Sequence, residues 1–428
     1  MAKRHLIGIG GVGMSALATA LVRLGDEVTG ADRTLGTPNI KFLESLGVKV
    51  YPDDGSGVDA TTDEVIVSTA IEDTNVGLKK AKVLGIPVTH RAKALARTLK
   101  NYKLVAVVGT CGKSTVTAML GHILSECGLD PMCVNGANVP GWEGAVRFGK
   151  GEYAVAEVDE SDKSLVAFKP YAAIVTNASA DHYSKEEMDE VFDAFIEDCE
   201  GPVVDGRKGN CSIVRLLDCS IEKIRTILPI PGKHNLQNAA LAVRMAVALG
   251  VAEADAVEAM ASFKGVERRL QLITPTIEQS NNRTFEHFPV VYDDYAHNPE
   301  KLRAMWTTLA EKYPRGICVI WRPHGYAPLR KMLDALAKMF AETVRDCDQL
   351  LLLPVYDAGG TTDRSVNSDE LLHRIRTIKQ SNNRTILVSD IDAAYDWCKV
   401  RRGTFAAFVT CGARDPGLPI LAKRLSEM

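Results

Sequence analysis

The feature that most constrains the fold is a glycine-rich loop between an apolar segment and a helical segment. Residues 104–108 predict a buried strand and residues 114–125 a helix. The loop between them reads Gly109-Thr110-Cys111-Gly112-Lys113-Ser114-Thr115. Backbone amides in such a loop can bind phosphate, the lysine adds positive charge, and the Ser114 hydroxyl can reach a magnesium ion. We therefore predict a nucleotide site, although the loop is one residue shorter than the common Gly-x-x-x-x-Gly-Lys-Ser pattern and an ordinary turn stays possible.

Apolar segments alternate with helical segments along the whole chain. The strongest strand predictions are residues 5–10, 27–31, 64–68, 104–108, 153–158, 172–176, 290–292, 317–321, 349–353, 385–388 and 406–410. This alternation indicates an α/β fold with parallel, doubly wound sheets. A length of 428 residues favours two to four domains, and the pattern restarts near residues 100 and 270. We predict three domains, covering residues 1–99, 100–269 and 270–428.

Charge and cysteine usage narrow the choice of partners and compartment. A formal net charge of -3 provides no general attraction to nucleic acid or anionic lipid, so we expect neither nucleic acid nor a membrane as partner. Ten cysteines without a Cys-x-x-Cys pair indicate reduced thiols. Glycines interrupt the apolar N-terminal stretch where a strand would turn into a helix. These features predict a cytoplasmic protein, and they leave a monomer and a homodimer open.

A second glycine-rich loop follows the first predicted strand. The segment Gly8-Ile9-Gly10-Gly11-Val12-Gly13 resembles a dinucleotide-binding fingerprint, and Asp32 ends the next strand, where a ribose is read. The loop amides could bind the diphosphate of NAD or of a UDP-sugar. A purely structural tight turn is the alternative, because glycine also serves close backbone packing.

Acidic and histidine side chains follow several other predicted strands. Carboxylates at 157–162 end one strand, and Asp181 with His182 follows the next. Beside a triphosphate such ligands suit magnesium, whereas a solvated acidic turn is the alternative. The segments 231–238 and 293–299 each contain a His-Asn pair, which either caps a helix or contacts a ligand.

Taken together, these motifs resemble the Mur ligase family over nearly the whole chain. The resemblance rests on the order and spacing of residues 8–18, 109–115, 157–162, 176–182, 231–235 and 293–299. It implies a Rossmann-like N-terminal domain for a UDP-sugar, a P-loop ATPase-like central domain for ATP, and a Rossmann-like C-terminal domain that closes to deliver an amino acid. The implied reaction uses ATP and Mg2+ to join an amino acid, with L-alanine as first choice, to UDP-N-acetylmuramate in peptidoglycan synthesis.

The resemblance also implies roles for individual residues. Those implied in catalysis are Lys113, Glu157, His182 and Arg269, the last at a hinge. Those implied in binding ATP are Gly109, Thr110, Gly112, Lys113, Ser114, Thr115, His234, Asn235 and Asp294. Those implied in binding the other substrates are Gly10, Gly11, Val12, Gly13, Met14, Asp32, Tyr295, His297, His324 and Arg330. The implied magnesium ligands are Ser114, Glu157 and His182.

The implied mechanism proceeds through an acyl-phosphate. The sugar carboxylate attacks the γ-phosphate of ATP, and the neutral amine of the amino acid then displaces phosphate through a tetrahedral intermediate. Positioning of three substrates and exclusion of water would be the main contributions of the protein.

Three departures from the family pattern affect these expectations. Cys111 replaces a histidine in the ATP loop, and a short stretch after His182 leaves Lys208 as a weak candidate for carbamylation. Gly325 and Pro328 stand where members acting on L-alanine usually place arginines, so Arg322 or Arg330 is expected to bind the acceptor carboxylate. A ligase with another donor or acceptor, as in peptide recycling or pseudomurein synthesis, therefore stays open. So do an NAD-dependent oxidoreductase and a non-catalytic nucleotide-binding subunit.

Overall fold

The first of three α/β sheets begins the chain. The computed structural model describes residues 2–159, 164–178, 185–208, 216–274, 289–357, 363–379 and 384–428. The first sheet has the order β3-β2-β1-β4-β5, and all its strands are parallel. Its strands are β1 (Lys3–Ile7), β2 (Glu27–Asp32), β3 (Lys49–Pro52), β4 (Glu64–Val67) and β5 (Val88–His90). Its helices are α1 (Val12–Arg23), α2 (Pro38–Ser45), α3 (Val76–Val83) and α4 (Arg91–Thr98).

The second sheet has the order β11-β10-β6-β9-β7-β8 and is parallel except for the pairing of β7 with β8. Its strands are β6 (Lys103–Val108), β7 (Met132–Val134), β8 (Val146–Arg147), β9 (Tyr153–Glu157), β10 (Ala172–Val175) and β11 (Val203–Asp205). The helices in this part of the chain are α5 (Lys113–Glu126), α6 (Lys185–Glu197), α7 (Asp218–Ile227), α8 (Lys233–Ala248) and α9 (Glu253–Ala259). The loop predicted to bind phosphate follows β6, which lies between β10 and β9.

The third sheet has the order β12-β13-β17-β14-β15-β16, with β12 antiparallel to β13 and the other pairs parallel. Its strands are β12 (Gln271–Ile273), β13 (Val291–Asp294), β14 (Ile317–Trp321), β15 (Gln349–Leu352), β16 (Thr385–Leu387) and β17 (Ala407–Cys411). Its helices are α10 (Pro299–Lys312), α11 (Tyr326–Thr343), α12 (Ser368–Ile378), α13 (Ile391–Lys399) and α14 (Gly417–Ser426).

Continuous burial of the central strands explains their apolar sequences. Every residue of β14 and β17 is buried, and a separate apolar cluster covers each face of the third sheet. A parallel strand covered by helices on both faces must be apolar on both sides, which removes the two-residue alternation of a half-exposed strand. The predicted α/β fold class is confirmed.

The predicted end of the first strand was wrong. The first strand was predicted to reach residue 10, but β1 ends at Ile7 because Gly8 adopts φ +75° and turns the chain out of the sheet. The following helix, α1, begins at Val12. The glycine segment is therefore partly loop and partly helix.

The chain divides into two compact units. Residues 1–229 and 234–266 form the first unit, which contains the first two sheets. Residues 230–233 and 267–428 form the second unit, which contains the third sheet. The three predicted domain ranges stay predictions. Among the helices in the described ranges, none has the length and hydropathy to cross a membrane.

Candidate nucleotide and substrate sites

Two glycines shape the loop after β6. Gly109 has φ +128° and Gly112 has φ +86°, conformations in which a side chain is strained. A Cβ atom on Gly109 would lie 2.1 Å from the Thr176 hydroxyl oxygen, and one on Gly112 would lie 2.7 Å from Asn238 Oδ1. Backbone geometry and lack of space thus both require glycine at these two positions.

Side chains that follow β10 fix the loop from one side. Asn177 Oδ1 accepts hydrogen bonds from the Thr110 hydroxyl at 2.7 Å and from the Cys111 backbone N–H at 3.0 Å. Asn177 Nδ2 donates to the Cys111 carbonyl at 2.8 Å, and the Thr176 hydroxyl donates to the same carbonyl at 2.6 Å. Because the side chain of Cys111 makes none of these bonds, its replacement of a histidine does not alter this bracing.

Lys113 lies over the loop that it follows. Its ammonium group donates to the Gly109 carbonyl at 2.7 Å and lies 3.9 Å from a carboxylate oxygen of Asp159. Ser114 and Thr115 are buried in the first turn of α5, and Gly112, which precedes the helix, provides no side-chain cap. A helix N-terminus with a nearby lysine and loop amides is suited to bind phosphate oxygens.

The residues beside the loop fit a magnesium ion bound together with a nucleotide. Glu157 ends β9, next to β6, and its carboxylate accepts the Gly136 backbone N–H at 2.8 Å. The described residues contain no group of three or more His, Cys, Asp or Glu side chains able to hold a metal alone. Magnesium bound to a nucleotide needs only one or two protein oxygens besides phosphate and water, which Glu157 and the Ser114 hydroxyl can provide. His182, the third predicted ligand, lies outside the described residues.

The start of α8 approaches the same loop. Asn238 is buried next to Gly112, as its short distance to a Cβ there indicates. Asn235, one turn earlier, is also buried, whereas His234 is half-buried. Asn235 and His234 were predicted to contact the nucleotide, and the structure brings their helix to the loop; their contacts with ATP stay predictions.

The N-terminal glycine loop is held by the predicted ribose-reading residue. One Asp32 oxygen accepts the Gly10 backbone N–H at 2.8 Å and the other accepts the Thr34 N–H at 3.0 Å. Met14 is buried, so its side chain faces the core. Gly11, Val12 and Gly13 form the start of α1, and a Cβ on Gly13 would lie 3.2 Å from the Arg91 guanidinium. Sequence reasoning missed Arg91, a cation on α4 beside this loop.

Two neighbouring aspartates at the end of β13 have different surroundings. Asp293 accepts hydrogen bonds from Arg268 Nε at 3.0 Å and from the Thr410 hydroxyl at 2.7 Å, and burial raises the pKa of its carboxyl to about 6. Asp294 accepts the backbone N–H groups of Leu270 and Ala296, each at 2.7 Å. Asp294 was predicted to contact ATP; in the structure it fixes the backbone around β13, and the ATP contact stays a prediction.

Four of the predicted substrate-binding and hinge residues lie together beyond the end of β13. The rings of His297 and His324 are 4.8 Å apart, and those of Tyr295 and His297 are 5.6 Å apart. The guanidinium of Arg269 lies 5.4 Å from the Tyr295 ring centre. Burial lowers the pKa of both imidazoles to about 4, so both are neutral at pH 7.

The two arginines expected to bind the acceptor carboxylate already have partners. Arg322 donates to Asp415 at 2.7 Å and to the Pro354 carbonyl at 3.0 Å. Arg330 is 2.8 Å from an Asp363 carboxylate oxygen and also donates to the Asp363 carbonyl at 2.8 Å. The structure therefore does not bring a free cation from either residue to the histidine pair.

A glycine-rich loop with a lysine lies at the carboxyl edge of a parallel sheet, beside carboxylate and amide side chains from the neighbouring strands. This arrangement is typical of nucleotide-binding enzymes. Two family models match the chain: "Mur ligase family, catalytic domain" over residues 3–103 and "Mur ligase, glutamate ligase domain" over residues 278–414. A relative from Agrobacterium fabrum, named UDP-N-acetylmuramate–L-alanine ligase, is 31% identical over 87% of this chain and 86% of its own. The chain belongs to the Mur ligase family.

Solved structures agree with this fold. A UDP-N-acetylmuramate-alanine ligase from Thermotoga maritima has a TM-score of 0.77 at 24% identity, covering 100% of this chain and 99% of its own. A murein peptide ligase from Psychrobacter arcticus has a TM-score of 0.66 at 19% identity, covering 100% of this chain and 99% of its own. Family membership confirms the predicted enzyme class, a ligase, and does not favour the NAD-dependent alternative.

Proposed function

We propose that the chain is an ATP-dependent ligase that joins L-alanine to the carboxyl group of UDP-N-acetylmuramate in peptidoglycan synthesis. The observation that carries the proposal is the loop from Gly109 to Thr115, in which two glycines with positive φ form the turn into α5 and Lys113 lies over the loop backbone. The names of relatives that align with nearly nine-tenths of the chain support the choice of donor and acceptor.

The loop after β6 binds the ATP phosphates in this proposal. Lys113 exchanges its hydrogen bond with the Gly109 carbonyl for phosphate oxygens, and the amides at the start of α5 add hydrogen bonds. Ser114 and Glu157 would hold a magnesium ion, which would neutralise charge on the phosphates. Asn177 keeps the loop in place as charge shifts during transfer.

The glycine loop after β1 binds the diphosphate of the UDP-sugar. Gly11 precedes α1 and provides no side-chain cap, and the first helical turn has no acidic residue, so the helix N-terminus favours an anion. Arg91 adds a positive charge beside Gly13. Asp32 accepts the Gly10 backbone N–H and so holds the loop conformation, a role separate from a contact with a ribose.

The chemistry transfers one phosphoryl group and forms one amide bond. A carboxylate oxygen of the sugar acid attacks the γ-phosphorus, ADP leaves, and a mixed acyl-phosphate forms. The unprotonated amine of L-alanine then attacks the acyl carbon, the tetrahedral intermediate expels phosphate, and the amine proton passes to solvent or base. Holding the reactants in line and away from water is the main contribution of the chain's own residues.

A phosphate-release assay on the purified chain tests this function. The mixtures contain ATP, Mg2+ and UDP-N-acetylmuramate with each amino acid or a peptide acceptor singly, and mass spectrometry identifies the product. We expect release that requires both the UDP-sugar and L-alanine. Release only with a peptide acceptor would replace L-alanine and favour a recycling ligase; no release with any mixture would contradict the proposal. Lys79→Met, which changes an exposed lysine on α3, is the control for a Lys113→Met variant that should be inactive.

A further inference from the structure

The cations at the carboxyl edge of the third sheet differ in whether they have an anionic partner. Arg268 is bonded to Asp293, Arg322 to Asp415 and Arg330 to Asp363. Each of these guanidinium groups is thus already neutralised by a carboxylate. A new carboxylate from a substrate would have to compete with an existing ion pair at any of the three.

Arg414 is different because it makes no hydrogen bond or ion pair with any residue in the described ranges. It is exposed, and it lies in the loop that follows β17. Its φ of +67° is a left-handed conformation, which costs a residue with a side chain about 1–2 kcal/mol relative to glycine. A strained residue of this kind persists only where surrounding structure holds it, and such residues cluster at functional sites.

The loop that carries Arg414 is held firmly on both sides. The Gly412 backbone N–H donates to the Asp294 carbonyl at 3.1 Å, and the Arg322 N–H donates to the Cys411 carbonyl at 3.1 Å. The Asp415 carboxylate accepts from the Gly417 backbone N–H at 2.8 Å as well as from Arg322. The Arg414 backbone is therefore fixed between the ends of β13 and β14, which are the strands that precede His297 and His324.

Electrostatics also connect Arg414 with the histidine pair. The pKa of His324 is lowered to about 4 first by burial and then by the positive charge of Arg414. Burial first, then Lys301 and, less strongly, Arg269 lower the pKa of His297, whose ring contacts His324. Within the described ranges neither Arg414 nor Arg269 pairs with a carboxylate, and Lys301 is a third cation that acts on both imidazoles.

We propose that Arg414 binds the α-carboxylate of the amino-acid acceptor. The inference rests on the proposed function and replaces the sequence expectation for Arg322 and Arg330. A guanidinium group presents two parallel N–H donors that match a carboxylate, and here no internal ion pair has to break. The acceptor amine would then face the neutral imidazoles of His297 and His324, which do not repel its protonated form.

The test compares L-alanine with L-alaninamide, which lacks the carboxylate, in the wild-type chain and in Arg414→Gly. Glycine suits the observed φ, so the variant should fold at least as well as wild type. If Arg414 contacts the carboxylate, kcat/KM for L-alanine falls by about 10- to 100-fold, as expected for a lost charged hydrogen-bond pair. The value for L-alaninamide and the KM values for ATP and the UDP-sugar stay within about twofold.

Two further variants make the comparison specific. Arg414→Lys keeps the charge but not the paired donors, so its loss with L-alanine should be intermediate. Arg303→Ala removes an exposed arginine on α10 that pairs with Glu342, and it should leave both substrates unaffected.

The outcomes separate this inference from the proposed function. An equal fall in kcat/KM for L-alanine and L-alaninamide in Arg414→Gly, or no fall for either, would overturn the carboxylate contact. Ligation by the wild-type chain would still support the proposed function in that case. Absence of ligation by wild type would overturn the proposed function and the inference with it. Loss of activity confined to L-alanine is the result that we expect.

Discussion

Replacement of Gly112 by alanine should damage ATP binding far more than it damages stability. Gly112 has φ +86° at the start of α5, and Gly128 has φ +81° just past the end of the same helix. A Cβ on Gly112 would lie 2.7 Å from Asn238 Oδ1, whereas one on Gly128 meets nothing within 4 Å. The two positions share the backbone strain, and only Gly112 adds a steric conflict at the predicted phosphate site.

The magnitudes follow from this difference. Left-handed backbone costs alanine about 1–2 kcal/mol, so Gly128→Ala should lower the free energy of unfolding by about that amount. In Gly112→Ala the contact with Asn238 must open by about 0.7 Å, from 2.7 Å to the 3.4 Å of ordinary contact. A shift of that size in the phosphate-binding amides should reduce kcat/KM for ATP by about 10- to 100-fold.

Urea unfolding and phosphate release, measured on both variants, test the reasoning. We expect both variants to lose stability, and only Gly112→Ala to lose affinity for ATP in calorimetry and efficiency in turnover. Equal ATP kinetics for Gly112→Ala and Gly128→Ala would refute the assignment of this loop to the phosphates. A loss of ATP binding in Gly128→Ala would show that strain anywhere in α5 has the same effect.

Three further predictions concern charge, bracing and pH. Lys113→Met should lower kcat/KM for ATP at least about 100-fold, because a charged phosphate contact is lost; full activity in the phosphate-release assay would contradict this. Asn177→Ala removes the bonds to Cys111 and should speed amide hydrogen exchange in the loop and raise the KM for ATP; unchanged exchange would contradict the bracing. Burial lowers the pKa of His297 and His324 to about 4, below the ordinary value near 6.5. The unfolded chain therefore takes up these protons first. The free energy of unfolding is highest above pH 6.5 and falls as the pH falls towards 4, by about 2 kcal/mol per histidine at pH 5. In urea titrations the free energy of unfolding of His324→Gln should fall by about 2 kcal/mol less than that of wild type between pH 8 and pH 5. An equal fall would refute the assigned pKa.

The central strands could be predicted from the sequence because burial on both faces leaves long apolar segments. The predicted segment 317–321 matches β14 residue for residue. The strands β3, β5, β7, β8, β11 and β12, which have two to four residues each, escaped prediction. Pairing with a neighbouring strand, rather than local composition, places such short segments in a sheet.

The phosphate loop could also be predicted, because glycines, a lysine and a hydroxyl lie in one continuous segment. The partners of the arginines could not. Arg322 pairs with Asp415, 93 residues away, and Arg330 pairs with Asp363, 33 residues away. Arg414 went unnoticed because a left-handed conformation is expected of glycine, and residue type alone does not indicate it.

The central claim is that the donor carboxylate is activated as an acyl-phosphate, and oxygen-isotope transfer tests it most directly. UDP-N-acetylmuramate labelled with 18O in its carboxyl group is incubated with the chain, ATP, Mg2+ and L-alanine, and the released phosphate is analysed by mass. The account predicts one 18O atom in each phosphate, since the carboxylate oxygen that attacks the γ-phosphorus leaves with it. Ligated product accompanied by unlabelled phosphate would contradict the account.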